Sequence, residues 1–486
     1  MTHARLFRRR PRPPAHPRAL PGRLALPRLT LERLLPLGTL PSRVASVLLL
    51  PARILSVLLL PSRVLSVLLL ATLGTPSSAS WAQDIPLTLE TSLRMALEAN
   101  PDLQARQAAL EASRSGVTGA RSDRYPSVGL TGSAARYDTG ETGAVDRHDL
   151  GLSLRQTLYR GGRVDAGVDA AQSALAADQA GVAAARSDLI LAVRQAWYRV
   201  AQAQRLVVSA EQGRERSLLN LEYADAQLEA GLGTRPDVLR ARVDVSAAEL
   251  QLTQSRNTVE SAKANLNALM GRPPSLPLEL APDAVEEPLD PLPSWEELLG
   301  MALETREELR VARARTARQE AAVRFAQGAF LPTVNADAGL NRGAAGSRAP
   351  RENWSVGVAF SLPLFEGFAP SAEVQAQRAF LEASRFDEMA ARQRIEGEVW
   401  DAYLFEDESA SRLDNARALF DAARENLEAA QESYRLGLGS MIALVDARTA
   451  LTDAERILIQ AQYDRRIARA ILDWAVGYDY FREIRQ

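Results

Sequence analysis

Cysteine is absent from all 486 residues, which excludes disulfides, thiolate metal sites, cysteine nucleophiles and a lipid anchor carried on an N-terminal cysteine. Histidine is almost as scarce: His3, His16 and His148 are the three. The first two fall in a segment read below as a leader. The third falls in an expected loop, where a lone imidazole is ordinarily solvated, and no role is assigned to it. Aromatic residues make up 6% of a chain that is 46% hydrophobic. With Ala, Leu, Arg and Glu dominant, that composition leans towards long helices. After residue 82 no helical stretch is apolar all round for about 20 residues, so no membrane-spanning helix is expected there. No nucleophile, metal or phosphate-loop constellation stands out, and the many Asp and Glu follow the spacing of solvated helix faces. The chain is therefore not expected to be an enzyme or to hold a cofactor or metal.

The formal charge of −2 hides an asymmetry. Residues 1–82 hold 12 Arg against one acid, Glu32, and the rest of the chain has 46 basic and 59 acidic residues, a net of −13. Such a chain is a poor partner for nucleic acid. Residues 1–40 are rich in Arg and Pro and cannot build a core. Three tandem decads follow, PSRVASVLLL, PARILSVLLL and PSRVLSVLLL, each with one Arg and a short apolar run. The last run, 64–73 behind Arg63, has the length of a signal h-region, and Ser80-Trp81-Ala82 is an A-x-A-like site. Cleavage after Ala82 and export across the inner membrane are expected. The competing reading, a transmembrane anchor, is opposed by Pro51, Pro61 and their neighbouring Arg, which interrupt each run short of the ~20 residues a span needs.

The remainder repeats itself at a constant offset of 206 residues. Leu93-Arg94-Met95-Ala96-Leu97-Glu98 aligns with Leu299-Gly300-Met301-Ala302-Leu303-Glu304, Pro126 with Pro332, and Leu158 and Gly161 with Leu364 and Gly367. Further on, Gly231-Leu232-Gly233 aligns with Gly437-Leu438-Gly439, and Gly271 with Gly477. The spacing predicts a first repeat at 83–271, a Pro-rich linker at 272–294, a second repeat at 295–477 and a tail at 478–486. Each repeat reads as helix, two strands, very long helix, tight turn, helix. Helices are expected over 88–124 with a weak break at Asn100-Pro101, and over 163–230 and 236–270. The second set is 295–327, 371–436 and 442–476. In 163–230 the apolar residues recur at three, four or seven, a coiled-coil spacing. Nearly seventy helical residues reach ~100 Å. The two shorter helices of a repeat nearly match the long one and can stack end to end beside it.

Strands are expected over 126–137, 149–159, 333–341 and 353–364. Leu150, Leu152, Leu154 and Leu158 oppose Asp149, Gly151, Ser153, Arg155 and Thr157; Trp354, Val356, Val358, Phe360, Leu362 and Leu364 oppose Ser355, Gly357, Ala359 and Ser361. Period-two alternation over about 9–12 residues fits a transmembrane barrel strand. Tyr125, Tyr159, Phe330 and Phe365 gather at the end that faces the helices, where they can form an aromatic belt. An amphipathic hairpin on a soluble core has the same pattern, but four matched strands attached to 100 Å-class helices favour the membrane. Four strands cannot close a barrel, and open edges in lipid leave backbone groups unpaired. Several copies must therefore associate, in a number the strand count leaves open.

These features together resemble the TolC family of outer-membrane efflux proteins over about residues 87–477. The marks are the two-fold repeat, Tyr125-Pro126 and Leu331-Pro332 entering one strand of each pair, and Leu158-Tyr159-Arg160-Gly161-Gly162 and Ser361-Leu362-Pro363-Leu364-Phe365-Glu366-Gly367 leaving the other. Gly-Leu-Gly turns precede Asp237-Val238-Leu239 and Leu444-Val445-Asp446-Ala447. The resemblance implies a homotrimer: a twelve-stranded barrel in outer-membrane lipid, continued by a helical coiled-coil tunnel across the periplasm. It also implies a periplasmic adaptor and an inner-membrane pump of RND, ABC or MFS class, in efflux or type I secretion, with the duct conducting passively. It places a periplasmic gate at Asp446, with Asp237 as a second candidate; Ala443 stands where the family has another acid. A solvated helix aspartate is the plainer role for Asp446. It places adaptor docking at the tips Gly231, Leu232, Gly233, Thr234 and Gly437, Leu438, Gly439, Ser440, whose glycines also have a plain structural role as helix stops. The other class to weigh is a periplasmic coiled-coil adaptor or structural protein, against which the two strand pairs argue.

Overall fold

The computed structural model describes residues 86–138, 140, 143–281, 291–346 and 349–478. The leader, its cleavage site, most of the tail and 282–290 of the linker lie outside the described residues. The first repeat folds as α1 (Leu89–Ala99), α2 (Pro101–Ser122), β1 (Ser127–Asp138), β2 (Ala144–Arg160), α3 (Arg163–Glu229) and α4 (Arg235–Leu269). The second folds as α5 (Trp295–Thr305), α6 (Glu307–Gln327), β3 (Thr333–Ala345), β4 (Arg351–Ser361), α7 (Ala369–Arg435) and α8 (Met441–Ala475). The long helices α3 and α7 have 67 residues each and the return helices α4 and α8 have 35. All four begin and end at positions related by the offset of the repeat.

The break expected as weak at Asn100 is complete. Asn100 has ψ 121°, caps α2 by accepting from the amides of Asp102 and Leu103, and donates its side-chain N–H to the Leu269 carbonyl at 3.0 Å. The single helix expected over 295–327 is likewise two. Arg306 stands at the matching position, with ψ 120°; it does not cap α6 but donates to the Ala475 carbonyl at 3.1 Å. At each break a side chain thus donates to an orphan carbonyl at the end of the return helix. That contact sets α2 and α4, and α6 and α8, end to end beside their long partners, as the helix lengths anticipate.

Burial concentrates at these junctions. Leu93, Val193, Val200, Leu266 and Met270 form the centre of one apolar cluster, and Ala302, Ile395, Val399, Leu472 and Ala475 form its counterpart in the second repeat. A third cluster at the far end joins the two repeats through Val238, Ala241, Leu427, Met441, Leu444 and Leu451. None of the described helices is long and apolar enough to cross a membrane.

The strands form one antiparallel sheet in the order β1-β2-β3-β4. β4 stops at Ser361, short of the expected 364. Pro363 has no N–H to give the ladder, which ends the strand. β2 runs from 144 to 160 and is longer than expected at both ends. It takes in His148, which pairs with Ala134 and Ala344 and so lies in a strand rather than the expected loop.

Candidate functional site

The register sorts the sheet into two faces. Val128, Leu154, Ala338 and Val356 lie in one cross-strand row, and Leu130, Leu152, Leu340 and Trp354 in the next such row of that face. On the other face run rows such as Gly129, Ser153, Gly339, Ser355 and Thr131, Gly151, Asn341, Asn353. Among the described residues nothing covers the apolar face: Trp354 is 79% exposed and Phe360 66%. Water would penalise such a face by roughly 1.5–3 kcal/mol for each large side chain left unburied. The polar face carries the Arg155–Asp337 pair, 2.8 Å apart, between β2 and β3.

A β-bulge between Thr157 and Tyr159 changes the alternation at the helix end of β2. Simple alternation puts Tyr159 on the polar face with Thr157. The bulge pairs it instead with Val334, whose own partner is Phe360, and so turns it to the apolar face. Tyr125, Phe330 and Phe365 sit beside the same end of the sheet, and all four expected belt residues are exposed. Phe368 was not foreseen. It has φ 66°, alone among the described non-glycine residues in having positive φ, and meets Phe365 edge-on at 5.5 Å between ring centres. Its counterpart in the first repeat is Gly162 at φ 73°. That glycine was the signal: the turn geometry is repeated although the residue is not.

At the far end each long helix stops in a Schellman turn. Leu232 N–H donates to Gln227 O and Gly231 N–H to Leu228 O; Leu438 and Gly437 repeat this onto Ser433 and Tyr434. Gly231 and Gly437 hold φ 72° and 73°. Gly233 and Gly439 serve a different need, since a Cβ on either would stand about 3.1 Å from backbone of the preceding helix turn. The turns leave Leu232 78% and Leu438 83% exposed. Ser440 caps α8 by accepting from Ala443 N–H at 3.2 Å. At the first tip it is Asp237 that accepts the Thr234 N–H, also at 3.2 Å. Asp237 is half-buried, and with Tyr223 it adds to burial in pushing the Tyr434 hydroxyl above its ordinary pKa. Asp446 is exposed on α8. The two gate candidates thus stand in different settings, one occupied in a cap and one open.

Several charges depart from the solvated pattern, with Arg448 and Glu406 buried and Asp244, Arg216 and Glu455 half-buried. Arg448 on α8 pairs with Asp244 on α4, and Arg216 on α3 pairs with Glu455 on α8 at 3.2 Å. Together they tie the first repeat's hairpin to the second's just behind the tips. Glu406 on α7 is 3% exposed. Burial pushes its carboxyl up, while Arg465, Arg469 and the Ser409 hydroxyl act the other way and Asp473 reinforces burial. The available signal was position: Arg448 shares a stripe with Leu444, Ala447 and Leu451, and Glu406 stands where the first repeat has Val200.

The family model for outer membrane efflux proteins matches residues 92–272 and 298–478. The chain is similar to protein CyaE of Bordetella pertussis, at 30% identity over 63% of this chain and 67% of that protein. It is similar to outer membrane protein TolC of Vibrio cholerae, at 26% identity over 84% of this chain and 93% of that one. Among solved structures it is similar to the open state of the Neisseria gonorrhoeae MtrE outer membrane channel, with TM-score 0.71, 21% identity and 80% and 88% of the two chains covered. It is also similar to the outer-membrane channel OprN, with TM-score 0.72, 24% identity and 80% and 90% covered. Both matched spans follow the sequence repeat, and between them they enclose both strand pairs and all four long and return helices; the chain belongs to the outer membrane efflux protein family, whose members are channels of the outer membrane.

Proposed function

We propose that three copies of this chain form one exit duct, a twelve-stranded barrel in outer-membrane lipid continued by a helical tunnel into the periplasm. A periplasmic adaptor engages the Leu232 and Leu438 tips, and an inner-membrane pump supplies the energy. The observation that carries the reading is the sheet: one face apolar and uncovered, the other small and polar, with β1 and β4 both left as edges. Lipid leaves no partner for an open edge, so closure requires further strands. Twelve strands leave an interior wider than the side chains that line it. Rows of Gly, Ser and Asn on the polar face suit passage rather than capture.

The gate is placed at the tips. Asp446 is repeated three times around the axis, where like charges attract cations and resist constriction. Asp237 contributes less, because its carboxylate is committed to the α4 cap. The pump is of RND, ABC or MFS class. Efflux and type I secretion share this duct chemistry. The experiment is expression in cells lacking their own exit channel, with the cognate adaptor and pump. Export should return with all three and fail without the pump, and the protein should enter the outer-membrane fraction as a heat-modifiable trimer. A protein found soluble in the periplasm would favour the coiled-coil adaptor reading instead.

A further inference from the structure

The repeat makes one chain a template for the joint between two. Within the chain α2 packs on α3, α3 on α6, and α6 on α7, in the same order as the strands. One flank of α2 and one flank of α7 are therefore the two ends of a row. Moving by one repeat carries α3 onto α7 and α2 onto α6. The step from α3 to α6 inside the chain is then the step from α7 to the α2 of a second copy, a head-to-tail joint that closes as a ring.

The internal joint has a defined register. Asp169 pairs with Arg324 at 2.9 Å, and a Cβ on Gly167 would lie 4.0 Å from the Phe325 ring. It also has a defined distribution of bulk. Gly167 and Ala170 line the groove over α6, and Ala183 lines the next cavity down. At three- and four-residue spacing between them stand Ala174, Ala177 and Ala180, the last two buried. The large residues that α6 sets against α3 are Arg318 and Phe325, which line the same groove, and Arg324, which reaches Asp169.

Between copies the sizes reverse. The α7 counterparts of Ala174, Ala180 and Ala183 are Phe380, Phe386 and Met389, and both phenylalanines are 59% exposed in the single chain. The α2 counterparts of Arg318, Arg324 and Phe325 are Ala112, Thr118 and Gly119, all exposed. Carried down from the Asp169–Arg324 pair, the antiparallel register sets Phe380 over Ala112, with Phe386 towards Ala105 and Ala109. We propose that this face is the copy-to-copy seam and is keyed by size: aromatic knobs of α7 fill a row of small residues on the neighbour's α2. An internal joint puts its bulk on the other helix, so the two kinds of joint do not interchange. The inference rests on the multi-copy duct and adds its register and its key.

The cysteine-free chain allows a direct test. The counterparts of Asp169 and Arg324 are Gln375 and Thr118. With both Thr118→Cys and Gln375→Cys, oxidation of outer-membrane protein should give covalent dimers and trimers. Either substitution alone should give neither, and Gln375→Cys with Ala105→Cys, out of register, should link poorly. Phe380→Ala should lower the fraction of detergent-resistant trimer several-fold, and adding Ala112→Phe should restore much of it. Trimers that refuse the 118–375 link, or form it equally with one cysteine, overturn the seam. Trimers indifferent to Phe380→Ala and to Ala112→Phe overturn the key. Absence of any outer-membrane oligomer in the unsubstituted protein would instead defeat the duct reading itself.

Discussion

Glu406 shows how one residue departs from the surface chemistry around it. Its folded-state pKa is raised, chiefly by burial. The sign follows: a raised carboxyl favours folding below the unfolded pKa of ~4.3, and that contribution is lost as pH rises through the folded value. Glu406→Gln should therefore melt higher than the parent at neutral pH, with the gap closing as pH falls towards about 4. Thermal unfolding in detergent across pH checks this; a gap that widens on acidification would show that its arginine neighbours, not burial, govern the group. Asp446 is exposed and makes a second prediction of a different kind. Asp446→Ala should change conductance and weaken cation block in planar bilayers, and unaltered traces would remove it from the gate.

The helices and strands differ in how far the sequence discloses them. Repeat markers such as Gly231 and Gly437 locate the four long and return helices within two residues, because Schellman turns require glycine at one position. The bulge at Tyr159 was hidden, since Leu158 and Tyr159 are both large and either can be the unpaired residue. The break at Arg306 was hidden too; arginine is a good helix former, and only its match to Asn100 marks it. Buried ion pairs were least legible, because heptad spacing does not say which polar residue turns inward. Two predictions belong at this scale. Gly231→Val or Gly437→Val should cost about 1–2 kcal/mol for the left-handed turn and speed hydrogen exchange at that tip alone. Arg448→Ala should destabilise the α4–α8 packing by about 3 kcal/mol, because Asp244 is left without its counter-charge. Adding Asp244→Ala should recover part of that loss in a double-mutant cycle.

For the whole molecule, the repeat accounts for both architecture and assembly. One unit of strand pair and helical hairpin is written twice, and neither copy can cover its own sheet. The two edges of the four-stranded sheet and the two free flanks of the helix row lie at the same ends of the chain's arc. A further copy continues both at once. The central claim is that the apolar face of this sheet meets lipid while the opposite face lines water. Spin labels on single cysteines at Leu152, Ser153, Ser355 and Val356, in protein reconstituted into bilayers, test it most directly. Collisions with oxygen should dominate at 152 and 356, and collisions with a water-soluble nickel complex at 153 and 355. Nickel accessibility at all four positions would contradict the account.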